Sequence, residues 1–285
     1  MKVAYQGAPG AYSESAAATM FPDEERVAER TFADVFAALS ANAVRAAVVP
    51  VENTLAGSVV DVYDLLRTHD DLTVLGEVAI PIRHCLLVVP GTRIDEVRVA
   101  RSHAHAIAQV EDYLRANGIE GQVAYDTAGA ASEVALAGDR SVAAVAARRA
   151  ATTYGLEIAA EIPSATENYT RFFAIARRGD HDVADALAPQ LGVQKTSIVY
   201  ATKNIPGALV RSLQPFATAG IQMTKIESRP SRNAPWQYVF YLDFEGHPAV
   251  SPAREALALM GTCCEWIHVL GTYRSTSTTA AEITT

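Results

Sequence analysis

Apolar and polar positions fall into blocks along the chain, and the period changes from block to block. Val3-Ala4-Tyr5 predicts a strand, Gly7-Ala8-Pro9-Gly10 a turn, and Ala11 to Met20 a helix. Thr31 to Ala41 predicts a second helix, because Phe32, Val35, Phe36 and Leu39 recur at i, i+3, i+4 and i+7. Ala46 to Val51 is a short apolar strand, and Val59, Val62, Tyr63 and Leu66 again fit one helical face. Strand and helix in turn predict an α/β domain with a largely parallel sheet. Residues 72–89 lack helical period and read as strands crossing into a second α/β lobe. That lobe runs through a strand at 97–100, a helix at 103–116, a strand at 122–125, a helix at 128–137 and a strand at 142–145. The chain returns through 157–162 to the stretch ENYTRFFAIARR. Ligands of such sheets bind at the carboxyl ends of the strands, often between lobes.

Residues 178–193 are more polar, hold Gly and Pro, and read as a linker. About 80 residues follow in the order βαββαβ, a ferredoxin-like pattern. The predicted elements are a strand at 196–201, a helix at 206–219 opened by Pro206 and interrupted by Pro215, and strands at 221–227 and 236–244. A helix at 252–260 and a strand at 266–270 complete the unit. Trp236, Tyr238, Phe240, Leu242 and Phe244 share one face of their strand. Residues 274–285 are Ser/Thr-rich and predict a disordered tail.

Composition narrows the function classes. The 285 residues suit two or three domains, with 49% hydrophobic and 20% charged residues. A formal net charge of -8 without a Lys/Arg-rich block argues against nucleic acid or an anionic membrane as partner. Three cysteines, Cys85, Cys263 and Cys264, form neither a disulfide framework nor the C-x-x-C spacing of a zinc site. The chain opens straight into a strand, and no apolar run is long enough to span a bilayer, so a cytoplasmic location with reduced thiols is expected.

Four loop-to-helix junctions carry small polar groups: GAPGAYSES with Ser13, PVENTLAGSVV with Glu52, Asn53, Thr54 and Ser58, RSHAHA, and DTAGAA with Thr127. Helix N-termini present unpaired N–H groups and partial positive charge, which suits a small anion with more than one negative group. The same residue types also serve as plain N-caps. His103 and His105 are two apart and do not share a helical face, so no metal site is read there. Spacing alone gives an α/β anion-binding domain with a small appended domain.

The motifs VAYQGAPGAYSESAA, VVPVENTLAGSV, SHAHAIAQ, DTAGAA, NYTRF and KIESRP, in this order, resemble those of prephenate dehydratase and the related plant arogenate dehydratases. The resemblance covers about residues 1–273. It implies a two-lobed, periplasmic-binding-protein-like catalytic domain over 1–180, with lobes at about 1–78 plus 160–180 and 79–159. It also implies a ferredoxin-like ACT regulatory domain over 194–273. The family removes water and carbon dioxide from a cyclohexadienyl acid, giving phenylpyruvate from prephenate or phenylalanine from arogenate. On this resemblance Thr170, Arg171 and Phe172 are the catalytic residues. Thr170 assists departure of the ring hydroxyl, Arg171 clamps a carboxylate or orients the loop, and Phe172 forms an apolar wall. Ser13, Glu52, Asn53, Ser58, His103, His105, Thr127 and Asn168 are implied for substrate, with no cofactor or metal. Asn204, Gly207, Ala208, Leu209, Gln222, Glu227, Ser228, Arg229 and Pro230 are implied for a phenylalanine effector, in a homodimer or homotetramer.

Two departures stand out. The family's SHPQA reads SHAHA here, with Ala104 and His105, and a histidine adds a group that titrates near neutral pH. The family's INLTKIESRP reads IQMTKIESRP, and Gln222 is one bond longer than the asparagine it replaces. Arogenate dehydratase, prephenate decarboxylase and a non-catalytic amino-acid sensor are the alternatives that keep the fold.

Overall fold

The computed structural model describes residues 1–164, 166–231 and 237–275. The chain begins β1 (Lys2–Gln6), α1 (Tyr12–Met20), β2 (Glu25–Glu29), α2 (Phe32–Ser40), β3 (Ala46–Asn53), β4 (Gly57–Ser58), α3 (Val60–Thr68) and β5 (Leu72–Pro81). It continues β6 (His84–Val88), a 3-10 turn at Ile94–Glu96, β7 (Val99–Ser102), α4 (Ala104–Ala116), β8 (Glu120–Val123), α5 (Thr127–Ala137) and β9 (Val142–Ala147). Then come α6 (Arg148–Tyr154), β10 (Glu157–Glu161), β11 (Tyr169–Arg177) and α7 (His181–Ala186). The last elements are β12 (Gln194–Thr202), α8 (Ala208–Thr218), β13 (Met223–Pro230), β14 (Tyr238–Glu245), α9 (Ala253–Gly261) and β15 (Cys264–Ser275).

Contacts divide the chain into two units, Met1–Val62 with Ala79–Phe172, and Tyr63–Val78 with Phe173–Thr285. The chain passes from one to the other inside α3, β5 and β11.

The first unit has two lobes. In the first lobe β1 pairs in parallel with both β2 and β3, and β11 lies beyond β3. Ala46 to Val49 are wholly buried, as the unbroken apolar run predicts for a strand covered on both faces. The helical stripe of α2 is borne out, with Val35, Phe36 and Leu39 all at 0% exposure. Each such side chain contributes about 2 kcal/mol by leaving water. Thr31 starts that helix through a capping box, its hydroxyl accepting from Asp34 N at 3.1 Å while Asp34 Oδ2 accepts from Thr31 N at 3.0 Å.

The second lobe is a five-stranded sheet in the order β10-β6-β9-β7-β8, parallel along β9-β7-β8 and antiparallel at β10-β6-β9. Along β6 the side chains alternate: Cys85 and Leu87 join the core under α5 and α6, and Leu86 and Val88 join the core under α4. The lobes meet at their loops. Tyr154 Oη donates to Pro9 O at 2.8 Å, and Tyr12 Oη donates to Arg83 O at 2.6 Å. Gly10 has φ +89, and a Cβ there would sit 2.9 Å from Ala150 Cα, so this approach requires glycine.

In the second unit β13-β14-β12-β15 form a sheet, antiparallel at every pairing, in the strand order of a ferredoxin-like βαββαβ unit. Ile198, Tyr200, Phe240, Leu242 and Phe244 of this sheet pack with Phe216 of α8 and Ala253, Ala256 and Met260 of α9. The opposite face is buried as well, since the Tyr241 and Tyr63 rings lie 4.8 Å apart and Gly271 of β15 pairs with Val74 of β5. The unit containing the βαββαβ pattern therefore also takes in 63–78 and 173–193, a wider grouping than the expected 194–273.

Several elements differ from the sequence reading. β2, in which charge interrupts a weak apolar pattern, and α6, which is rich in Ala and Thr, were not expected. The stretch read as a linker holds the six-residue α7, with Asp180 as its N-cap. The strand expected at 97–100 is shifted to β7, because a 3-10 turn occupies 94–96, and that expected at 122–125 is shifted to β8, with Tyr125 outside it and 57% exposed. α8 opens at Ala208 and not at Pro206, because Gly207 at φ +77 is its N-cap. Arg274 and Ser275, expected in the tail, extend β15, held by the Gln194–Arg274 pairing and by Ser275 N donating to Val193 O at 3.0 Å. Trp236 and residues 276–285 lie outside the described residues.

Candidate active site

β11 starts where the first lobe's sheet meets the hairpin of β3 and β4. Thr54 N donates to Tyr169 O at 2.9 Å, and Tyr169 N donates to Thr54 Oγ1 at 3.0 Å. This reciprocal pair fixes the register of the hairpin against 167–170. Asn53, at the end of β3, is the hub. Its Oδ1 accepts from Leu55 N at 3.0 Å and Ala56 N at 2.9 Å, the turn-forming habit of an Asx side chain. That leaves the two N–H groups of Nδ2 shared among Asn168 Oδ1 at 2.7 Å, Thr170 Oγ1 at 2.9 Å and Tyr169 O at 3.1 Å.

An amide nitrogen has no lone pair to offer, so Thr170 Oγ1 accepts in this contact. Its own proton stays available for another acceptor. Thr170 is half-buried, and Asn168 beside it is only 6% exposed. Asn168 Nδ2 donates to Gln109 Oε1 at 3.0 Å, and that oxygen also contacts His84 Nε2 at 2.9 Å. The polar chain thus runs from the first lobe into β6 and α4 of the second.

Next along β11, an Arg171 guanidinium nitrogen pairs with Glu52 Oε2 at 3.2 Å, with side chains 16% and 37% exposed. The guanidinium is permanently charged, and the pair ties β11 to the end of β3. Phe172 is 2% exposed and is a core residue.

The other expected residues sit at the loops as follows. Ser13 is buried in the first turn of α1. Ser58 opposes Glu52 across the hairpin, in β4 and not at a helix start. Asn53 likewise ends a strand. His103 is the N-cap of α4, its side chain accepting from His105 N at 3.3 Å, and the two imidazole rings meet edge to face at 5.2 Å. Partial desolvation and then His105 push His103 below its ordinary pKa, while Asp126 opposes this. Thr127 opens α5, where Asp126 caps Gly129 N. Parallel β7 and β8 are neighbours, so the starts of α4 and α5 and their polar groups come together.

Near the loop 7–10, Glu14 accepts from Gly10 N at 2.6 Å and pairs with Arg149 at 3.2 Å. Burial, reinforced by Glu14, pushes Tyr5 up to about 12. The effector candidates lie in the second unit. Glu227 to Pro230 are in β13, an edge strand that tolerates proline, with Gln222 just before it. Asn204, Gly207, Ala208 and Leu209 form the turn into α8.

Sequence reading did not assign Gln109 or His84 to the site. Gln109 stood within SHAHAIAQ, one helical turn and a half beyond the histidines that drew attention. His84 opens an apolar strand and carried no motif signal. Ser102 of the same motif is structural, its hydroxyl donating to Val145 O at 2.6 Å. Among the described residues no cluster of His, Cys, Asp and Glu is placed to hold a metal ion, and no helix is long and apolar enough to cross a membrane.

Residues 3–180 match the family model described as prephenate dehydratase. The chain is 40% identical over 284 residues to arogenate dehydratase/prephenate dehydratase 2, chloroplastic, of Arabidopsis thaliana, covering 96% of this chain and 72% of that protein. A solved prephenate dehydratase from Arthrobacter aurescens in complex with L-Phe aligns with TM-score 0.85 and 27% identity, covering 96% of this chain and 90% of that one. A structure described as a novel type of quorum quenching acylase aligns with TM-score 0.87 and 34% identity, covering 97% and 99%.

Proposed function

The chain belongs to the prephenate dehydratase family, and from that premise we propose that it converts prephenate to phenylpyruvate by loss of water and carbon dioxide. The observation that carries this reading is the Thr170 hydroxyl, which accepts from Asn53 and keeps its proton for a substrate oxygen. In the reaction the bond from the ring carbon to hydroxyl breaks, and the electron pair of the ring-to-carboxylate bond replaces it. Carbon dioxide leaves neutral, the hydroxyl leaves as water with one added proton, and the ring becomes aromatic. Thr170 hydrogen-bonds to the departing hydroxyl and passes it a proton, which solvent then restores, a form of general acid assistance worth roughly 10²–10⁴ in rate. Arg171, tied to Glu52, holds the loop and attracts a carboxylate. Ser13 and Thr127 at helix starts, with Ser58, His103 and His105, meet the substrate's carboxylates. Asn53 and Asn168 act by holding Thr170, since both ends of each amide are engaged within the protein.

In this reading residues 1–180 are the catalytic domain and 194–273 an ACT domain that binds phenylalanine at 204–209, 222 and 227–230 in a homo-oligomer. The A. aurescens relative with bound L-Phe supports an amino-acid effector. The protein is a lyase that needs no cofactor and works in the cytoplasm. Arogenate is the second substrate to test, because the Arabidopsis relative carries both names. Incubation with prephenate and then arogenate, followed by proton NMR, is the test. Phenylpyruvate from prephenate supports the reading. Phenylalanine from arogenate alone shifts it to the second substrate. A non-aromatic product retaining the hydroxyl would replace it with decarboxylation, and no turnover of either would refute it and leave the sensor reading.

A further inference from the structure

Resting on the dehydratase reading, we propose that His84 is a positioning residue: as the Nε2–H tautomer it ties down the far end of the amide chain that aims the Thr170 hydroxyl. The direction of every bond in this chain follows from its anchored end. Backbone N–H groups of Leu55 and Ala56 hold Asn53 Oδ1, so Asn53 Nδ2 must be the group facing Asn168 and Thr170. Asn168 Oδ1 therefore accepts, and its Nδ2 donates to Gln109 Oε1. His84 Nε2 meets that same oxygen at 2.9 Å and has to donate as well.

The opposite tautomer is penalised twice. It sets a bare Nε2 lone pair against an oxygen lone pair. It also places an N–H on Nδ1, which is buried without a hydrogen-bond partner. A buried N–H with no acceptor costs the desolvation of the group. The same absence disfavours the doubly protonated ring, and burial lowers the pKa of His84 accordingly, although Gln109 works the other way.

The scaffold holds His84 firmly. Its residue pairs with Ala147 of β9, its carbonyl accepts from Ile162 N at 2.9 Å, and the Tyr12 ring stands edge-on at 6.0 Å. Without the imidazole donor, Gln109 Oε1 loses its 2.9 Å contact and keeps Asn168 Nδ2, so the Gln109 side chain is held less firmly. Asn168 is then held less firmly in turn, and with it the Asn53 amide that contacts Thr170. The effect falls on the aim of a hydroxyl, so it is expected in kcat more than in KM.

The test uses the full-length protein. Long-range ¹H–¹⁵N NMR at neutral pH is expected to show His84 neutral with its proton on Nε2; a proton on Nδ1, or an imidazolium, would overturn the proposal without reference to activity. His84→Leu, which keeps bulk and removes the donor, is expected to lower kcat for prephenate by about 10–100-fold with KM within about threefold. His84→Gln restores a donor near the Nε2 position and is expected to recover most of that loss. A His84→Leu protein that folds and keeps wild-type kcat, or a loss equal in both variants, would contradict a positioning role. Should wild type itself leave prephenate unchanged, the dehydratase reading fails, and the tautomer result still judges the polarity of the chain.

Discussion

Each of the two units buries a set of hydrogen-bonded polar side chains, and the sets end differently. In the first, His84, Gln109, Asn168 and Asn53 form a chain that runs to Thr170, whose proton none of them accepts. In the second, Ser197 Oγ donates to Asp243 Oδ1 at 2.6 Å and meets Tyr273 Oη at 2.7 Å. Lys195 Nζ there donates to Glu77 Oε1 at 2.6 Å, and Tyr241 Oη donates to Tyr63 O at 3.1 Å. The second set joins strands and helix to one another. On the proposed function, the contrast lies in what each network holds: the first ends on a hydroxyl that accepts from Asn53 and keeps its own proton, and the second ties elements of the fold to one another. Bond lengths are alike in both.

Substitutions in each unit break the comparison in different ways. The largest effect is expected from Thr170→Ala, which removes the leftover proton: kcat falls by roughly 10²–10⁴ while the thermal midpoint stays within a few degrees of wild type. Steady-state kinetics with a melting curve measures both. Lys195→Met has the reverse signature. It removes one ion-pair partner from Glu77, only 4% exposed, and is expected to cost about 3 kcal/mol in urea unfolding while kcat per folded molecule holds. Asn53→Ala should show both signatures in one variant, because the amide holds the 53–56 turn as well as Thr170. A loss of about 1–3 kcal/mol and a fall in kcat are expected together. Unfolding and kinetics on the same preparation separate the two.

The smallest effect concerns pH. Burial holds the folded-state pKa of His84 below its ordinary 6.5. Between those two values the unfolded chain binds more protons than the folded one, so stability falls as pH drops through about 6.5. His84→Gln removes that share of the slope, and urea midpoints at about pH 7.5 and 5.5 are expected to differ less in the variant than in wild type. An unchanged difference would remove His84 from the acid response.

Much of the fold was legible because burial wrote it into periodicity. The stripe of Phe32, Val35, Phe36 and Leu39 and the unbroken run 46–51 each answer to a surface that must be covered. β2 and α6 were not legible, since ERVAE and RRAATTY have patterns that neither period claims and their neighbours supply the cover. The extension of β15 to Ser275 depends on pairing with 193–194, a contact remote in sequence. In the site, Asn53, Asn168 and Thr170 were found through motif resemblance, but their mutual bonds span more than 100 positions and leave no local trace. Asn53 and Ser58 show the cost of placing residues by motif. A strand end and a hairpin position stand where two helix starts were expected.

The most direct test of the central claim, that the hydroxyl held by Asn53 drives the reaction, is proton NMR of prephenate incubated in parallel with wild type and Thr170→Ala. Phenylpyruvate from the wild type and unchanged prephenate with the folded variant is the predicted result. Phenylpyruvate at equal rates from both would contradict it.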